Sequence, residues 1–175
     1  MPKNIEIKAR VTDPMAIAAR AVALGDQQPE TLVQRDTFFR CRHGRLKLRE
    51  QLSGQDELIW YDRPDLMGSK PSTYLRAALG KAGTLREVLA QALGVEHTVE
   101  KTRSVVMAGR TRIHLDDVTG LGHFLELEVM LDDGQPEAEG HARAADLLQR
   151  LGITEADLVD CSYADLLARR QGSPG

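Results

Sequence analysis

Short runs that alternate ionic with apolar residues recur along this chain, and that period of two limits its fold more than any other feature. "NIEIKAR" (4–10) sets Asn4, Glu6, Lys8 and Arg10 against Ile5, Ile7 and Ala9. "GRLKLREQL" (44–52) sets Arg45, Lys47 and Arg49 against Leu46 and Leu48. "RTRIHLDDV" (110–118) sets Arg110, Arg112, His114 and Asp116 against Thr111, Ile113 and Leu115, and the following "HFLELEVML" sets Glu126 and Glu128 against Leu125, Leu127 and Val129. Neighbouring side chains of a strand point to opposite faces, so each run reads as a β-strand with one charged face and one apolar face. "LVQRDTFFR" (32–40), "ELIWYDRP" (57–64) and "HTVEKTRSVVMAG" (97–109) read as further strands, and "DLMGSKPSTYLRA" as a loop with a short strand.

Helices fall between these strands. "TDPMAIAARAVALG" offers Thr12 or Asp13 as N-cap, Pro14 in the first turn and Gly25 as a stop. "TLREVLAQALG" pairs Thr84 with Glu87 as a capping box and ends at Gly94. Residues 137–152 form a helix closed by Gly152 and weakened by Gly140. "SYADLLARR" is a last short helix with Ser162 as N-cap and Asp165 three residues on. About eight strands with hairpin-like spacings and three or four helices indicate an antiparallel α+β domain. With 175 residues the chain fits one domain over 1–170, followed by a mobile tail over 171–175.

The charges are sorted. Bases gather at Lys8 and Arg10, at Arg45, Lys47 and Arg49, at Lys101 and Arg103, and at Arg110 and Arg112; acids gather at Glu6, Asp116, Glu126 and Glu128. On any one strand a solvated polar face explains the pattern, and an open sheet serving as an interaction domain would leave all of them in water. A sheet curled into an eight-stranded barrel with helices outside would instead turn the ionic parity inward, around space for one small ligand. Lone buried ions are too costly to keep, so an enclosed set of bases beside a few carboxylates describes a site for a polyanion and a divalent cation. Arginines and lysines neutralise phosphate oxygens, and carboxylates suit Mg²⁺ or Mn²⁺. No P-loop or Gly-x-Gly-x-x-Gly stretch occurs.

A formal net charge of −3 argues against a nucleic-acid surface built on overall positive charge. Cys41 and Cys161 are far apart and in no metal-ligand spacing, which suits a reducing compartment. With no apolar run long enough to span a bilayer, a cytoplasmic location and no membrane partner are expected. A homodimer stays open.

"IEIKAR", "QRDTFF", "RLKLRE", "VEKTR", "IHLDDVTGLGHFLELEV" and a late "SYADLL", in that order from residue 4 to about 167, resemble the CYTH superfamily of triphosphate tunnel proteins. The resemblance implies an eight-stranded antiparallel tunnel and a metal-dependent enzyme with Mg²⁺ or Mn²⁺. Its substrate would be a triphosphate compound: ATP, thiamine triphosphate or tripolyphosphate. The family's Glu-x-Glu-x-Lys motif stands here as Asn4-Ile-Glu6-Ile-Lys8, so the first carboxylate is missing. Glu6 and Lys8 carry over as catalytic residues, and Glu6, Asp116, Glu126 and Glu128 as metal ligands. Lys8, Arg10, Lys47, Arg49, Lys101, Arg103 and Arg112 are the expected phosphate contacts. Related members carry a lysine near Tyr61–Arg63, where Arg63 or Lys70 would substitute. His114 is either a polar lumen residue or a general acid or base. Trp60 and Phe39 read as packing residues and Tyr163 as a helix-docking residue. The expected activity is triphosphate hydrolysis; class IV adenylyl cyclase chemistry, ATP to cyclic AMP and pyrophosphate, is the first alternative. Polyphosphate or nucleotide capture without turnover is the second.

Overall fold

A computed structural model describes residues 1–172. Its strands are β1 (Lys3–Arg10), β2 (Glu30–Phe39), β3 (Arg45–Gln51), β4 (Asp56–Asp62), β5 (Lys70–Leu79), β6 (Val95–Ala108), β7 (Thr111–Val118), β8 (Gly122–Met130) and the two-residue β9 (Leu158–Val159). The helices are α1 (Pro14–Leu24), α2 (Gly83–Leu93), α3 (Glu137–Leu151) and α4 (Tyr163–Gln171). All strand pairings are antiparallel, in the order β5-β4-β3-β2-β6-β7-β8-β1, and β1 closes the ring by pairing with β5. The fold is therefore a closed eight-stranded barrel. Lys3–Glu6 of β1 pair with β5, and Lys8 and Ala9 pair with β9, which covers the stretch of edge that β5 leaves.

The alternation decides which face goes where. Ile5, Ile7, Ile113, Leu125, Leu127 and Val129 point outward and are buried under α1 and α3, through Ile17, Ala21, Ala144, Leu147 and Leu151. Fully burying such a side chain stabilises the fold by roughly 1.5–3 kcal/mol, so this wall anchors the barrel. α2 covers a second patch, over Phe39 and Leu48. On the inner parity, Phe38, Val99, Val118 and Phe124 make one end of the lumen apolar, and Tyr163 and Ala164 of α4 pack onto it. That end of the barrel is stopped by α4.

Several local expectations change. The segment read as a loop with a short strand contains the ten-residue β5, because Pro71 sits at its start and leaves the alternation Ser72, Tyr74, Arg76 intact. The Thr84–Glu87 capping box does not form: α2 starts at Gly83, and the N–H of its N-cap Ala82 donates to Asp56 Oδ2 at 2.8 Å instead. The capping box at Ser162 and Asp165 does form, and Asp13 caps α1 by accepting from the Ala16 N–H. Gln171, expected in the tail, is the last residue of α4, and residues 173–175 of that tail lie outside the described residues. Gly140 marks a close approach: a Cβ there would lie 2.5 Å from Ile5 Cγ1. Among the described residues no helix is long and apolar enough to cross a membrane.

Candidate active site

The inner parities enclose a cavity of about 790 Å³, counting its mouth, lined by eight basic and four acidic side chains. Ten of the expected site residues meet there: Glu6 and Lys8 from β1, Lys47 and Arg49 from β3, and Arg63 just beyond β4. Lys101 and Arg103 from β6, Arg112 from β7, and Glu126 and Glu128 from β8 complete that set.

The acids fall into two kinds. Asp36 accepts two 2.8 Å hydrogen bonds from Arg49 and one of 2.9 Å from Lys47, with Lys101 at 3.7 Å. Asp116 accepts two at 2.6 Å from Arg103 and a third, at 2.7 Å, from the Tyr163 hydroxyl. Both aspartates are fully engaged in aiming arginines into the lumen. Burial pushes each carboxyl up, but the bases outweigh it: Arg49, Lys47 and Lys101 at Asp36, and Arg103 and Lys101 at Asp116, hold both below the usual carboxylate range.

The three glutamates are held loosely. Glu126 lies 3.4 Å from Lys8 and 3.9 Å from Arg103, Glu128 3.3 Å from Arg112, and Glu6 3.4 Å from Arg63. These distances exceed those of the aspartate pairs, leaving carboxylate oxygens available to another cation. Burial, followed by the charge of Glu126, raises the Glu6 carboxyl, whereas Lys8 and Arg103 carry Glu126 well below its ordinary value against the effect of burial. Glu126 and Glu128 also share their surroundings with His114, and one donor atom from each of the three lies within 4.8 Å of the others.

Four expected site residues do not line the cavity. Arg10 is exposed, its guanidinium 5.0 Å from the centre of the Phe124 ring. Lys70 is 1% exposed, but its ammonium donates to the Leu66 and Asp160 carbonyls at 2.8 Å each, at the seam between β5 and β9. Of the two bases offered for the irregular strand, Arg63 therefore faces the lumen and Lys70 does not. Asp116 stands behind Arg103, both its oxygens engaged. His114 lies in the wall beside the two glutamates, where burial and then Arg103 lower its imidazole to about 4, so it is neutral near pH 7.

Sequence reasoning did not single out Asp36, Ser72, Tyr74 or Arg76, all of which line the cavity. Asp36 shares a parity with Gln34 and Phe38 in "QRDTFF", and that was the available signal. Tyr163 does more than dock a helix: its ring lies 4.0 Å beneath the Lys8 ammonium and 5.4 Å from that of Lys101. Phe39 packs in the core as expected, and Trp60 donates to the His43 carbonyl at 2.9 Å. At position 4 the carboxamide Oδ1 is buried without a hydrogen-bond partner among the described residues, and so is Ser72 Oγ on the paired strand. A carboxylate replaced by a neutral amide thus still turns toward the cavity.

Comparison with known proteins agrees with this fold. The CYTH domain matches residues 2–163. The chain belongs to the CYTH family. A Methanocaldococcus jannaschii protein that carries an adenylate cyclase name is 23% identical over 171 residues, spanning 93% of this chain and 97% of that protein. A shorter match to the adenylate cyclase CyaB of Aeromonas hydrophila is 34% identical over 68 residues, only 39% of this CYTH protein and 36% of the relative. Among solved structures, a Pyrococcus horikoshii protein superposes with a TM-score of 0.83 at 23% identity, covering 93% of this chain and 98% of that one. A Hippeastrum protein named for adenylyl cyclase, whose structure is described as revealing a dominant triphosphatase activity, superposes at 0.60 with 17% identity, covering 98% and 97% of the two chains. At these identities the structural likeness establishes the shared barrel.

Proposed function

We propose that this CYTH protein is a metal-dependent phosphohydrolase acting on a triphosphate compound. One observation carries the reading: eight bases surround four acids in a single enclosed cavity, and the glutamates among those acids are only loosely paired. Lys8, Lys47, Arg49, Arg63, Lys101 and Arg103 are the largely buried bases. Their charge is costly wherever carboxylates do not fully offset it, and a triphosphate supplies several negative charges in a shape that fits a tube.

Arg49 and Arg103, fixed by Asp36 and Asp116, present their remaining N–H groups to phosphate oxygens without a search through rotamers. Lys47 and Lys101 add compact charges beside them. Lys8, with its ammonium over the Tyr163 ring, and Arg63 meet the phosphate end that lies against Glu6 and Glu126. Mg²⁺ or Mn²⁺ fits the donor set, since Glu6, Glu126 and Glu128 offer partly buried oxygens free of short hydrogen bonds. Bound there, such an ion would neutralise phosphoryl charge and polarise the reacting phosphorus. The protein's own share is positioning and electrostatic stabilisation of charge spread over the phosphoryl oxygens. Hydrolysis then needs only a water aligned with the terminal phosphoryl group.

The relatives' adenylate cyclase names support a second reading, in which a ribose hydroxyl attacks the α-phosphate and pyrophosphate leaves. The test is a panel of tripolyphosphate, ATP and thiamine triphosphate, each with Mg²⁺ or Mn²⁺, in which phosphate, pyrophosphate and cyclic AMP are measured separately. Phosphate release supports the triphosphatase; pyrophosphate with cyclic AMP replaces it with the cyclase. A ligand-induced rise in melting temperature with no product would make the protein a binding module.

A further inference from the structure

His114 is 4% exposed, and its Nδ1 has no hydrogen-bond partner among the described residues. Leaving a buried imidazole nitrogen unpaired is costly, and native structures seldom do so without a use for it. The nitrogen is nevertheless aimed at two acceptors: Glu126 Oε1 lies 4.0 Å away and Glu128 Oε1 3.9 Å. Both separations are too long for hydrogen bonds, which close to about 2.7–3.2 Å. They leave room for one metal ion to draw the three groups together. With bonds of about 2.1 Å, two ligands on an ion stand about 3.0 Å apart when adjacent and about 4.2 Å apart when opposite. Three ligands on one octahedral ion can have only one pair opposite, so at least one of the nitrogen–oxygen spacings must close by about 1 Å as the ion draws the trio in.

The same placement argues against proton transfer by His114. A general acid or base must reach the reacting group, and this imidazole is in the wall behind Glu126 and Glu128 rather than on the cavity surface. Nor does a competing cation fill the gap. Lys8 and Arg112 approach the glutamates only to 3.4 and 3.3 Å, and neither they nor Arg103 makes a hydrogen bond to the imidazole nitrogen.

We propose that Nδ1 of His114 is a metal ligand together with Glu126 and Glu128, and that this nitrogen makes the centre select Mn²⁺ and its transition-metal neighbours over Mg²⁺. Mg²⁺ favours an all-oxygen octahedron that retains waters, whereas imidazole suits first-row transition ions and their affinities for mixed nitrogen and oxygen sites are higher. The inference deepens the triphosphatase reading by naming the metal class, and it rests on that reading only for the presence of a dication.

The test uses the full chain, stripped of metal, with MnCl₂ or MgCl₂ alone. Pulsed EPR of the Mn²⁺-loaded wild type is expected to show coupling to a ¹⁴N nucleus, and this measurement needs no variant. Titration calorimetry is expected to give Mn²⁺ a dissociation constant at least about tenfold lower than that of Mg²⁺. In His114→Gln, checked for folding by circular dichroism, the nitrogen coupling should vanish. Mn²⁺ affinity should fall about tenfold or more while Mg²⁺ affinity changes less than about twofold. Absence of nitrogen coupling in the wild type overturns the proposal, and so does coupling that survives in His114→Gln. Either result would leave hydrolysis of a triphosphate intact. Conversely, nitrogen coupling in a protein that releases no product from the substrate panel would sink the hydrolase reading and spare this one.

Discussion

The Lys101 ammonium stands 3.7 Å from the Asp36 carboxylate, which accepts its short hydrogen bonds from Arg49 and Lys47 instead. Buried beside Arg103 and only partly compensated, Lys101 is lowered from 10.5 to about 7. Because the folded value lies below the free one, its contribution to stability is fully present above pH 10.5. That contribution declines as pH falls and levels off below about 7, once the folded protein is protonated too. A bound polyanion reverses the balance by favouring the ammonium, so binding takes up a proton. Calorimetric titration with tripolyphosphate should therefore show affinity falling by up to about tenfold per unit above pH 7, beyond the ligand's own titration. Lys101→Gln should flatten that extra slope. An identical pH profile in the two proteins would show that this lysine does not titrate on binding.

Glu126 and Lys47 belong to the same cavity but make different partnerships, and their variants should separate two functions. Glu126→Gln removes a carboxylate held only at 3.4 Å by Lys8, so its first effect should be on metal dependence. A loss of about tenfold or more in apparent metal affinity is expected, with modest change in metal-free tripolyphosphate binding. Lys47→Ala removes an ammonium that reaches the lumen from β3, and should weaken tripolyphosphate binding by about 1–3 kcal/mol with little change in metal affinity. If both variants shift both quantities equally, the division of the cavity into anion and metal regions is wrong.

Tyr163 carries two loads at the stopped end of the barrel. Its hydroxyl donates to Asp116 at 2.7 Å, and its ring supports Lys8 from 4.0 Å. Tyr163→Phe keeps the ring and drops the hydrogen bond, and should cost about 1–2 kcal/mol in urea denaturation. Tyr163→Leu loses the ring as well and should cost more, with a further fall in tripolyphosphate affinity because Lys8 loses its support. Equal stability in the two variants would mean that the ring contributes nothing beyond apolar bulk.

The barrel was legible because its strands must satisfy two environments at once. Ile5, Ile7, Leu125 and Leu127 need a helix over them, and the Glu6, Lys8, Glu126 and Glu128 between them need one another; a closed sheet provides both. Parity alone, however, gives a direction and not a height along the barrel. Arg10 shares the parity of Lys8 but lies one step nearer the end, where Phe124 faces it across the ladder, and it leaves the cavity for the surface. Asp116 shares the parity of His114, yet its role is fixed by Tyr163, 47 residues away, a contact no local pattern encodes. Lys70 was likewise drawn out of the lumen by the carbonyls of Leu66 and Asp160 at the β5–β9 seam, since β9 is too short to announce itself.

Gly140 offers a case in which the sequence argument and the packing argument give opposite signs. Glycine inside a helix is disfavoured by about 1 kcal/mol relative to alanine, so Gly140→Ala should stabilise α3 if the helix stood alone. In the folded protein a methyl group at this position would lie 2.5 Å from Ile5 Cγ1 and 2.9 Å from Leu131 Cδ2. Ile5 is fully buried on β1, between Asn4 and Glu6 of the cavity wall, and cannot give way inward without shifting the strand. Overpacking of this kind costs about 1–3 kcal/mol, which matches or exceeds the helical gain. The net expectation is destabilisation by up to about 2 kcal/mol in urea denaturation, the difference of those two figures. Because the shift would be transmitted through β1, tripolyphosphate affinity should fall as well, although residue 140 lies outside the cavity. A Gly140→Ala protein more stable than the wild type would show that α3 can slide away from Ile5, and that the α3–β1 contact does not set the position of Glu6.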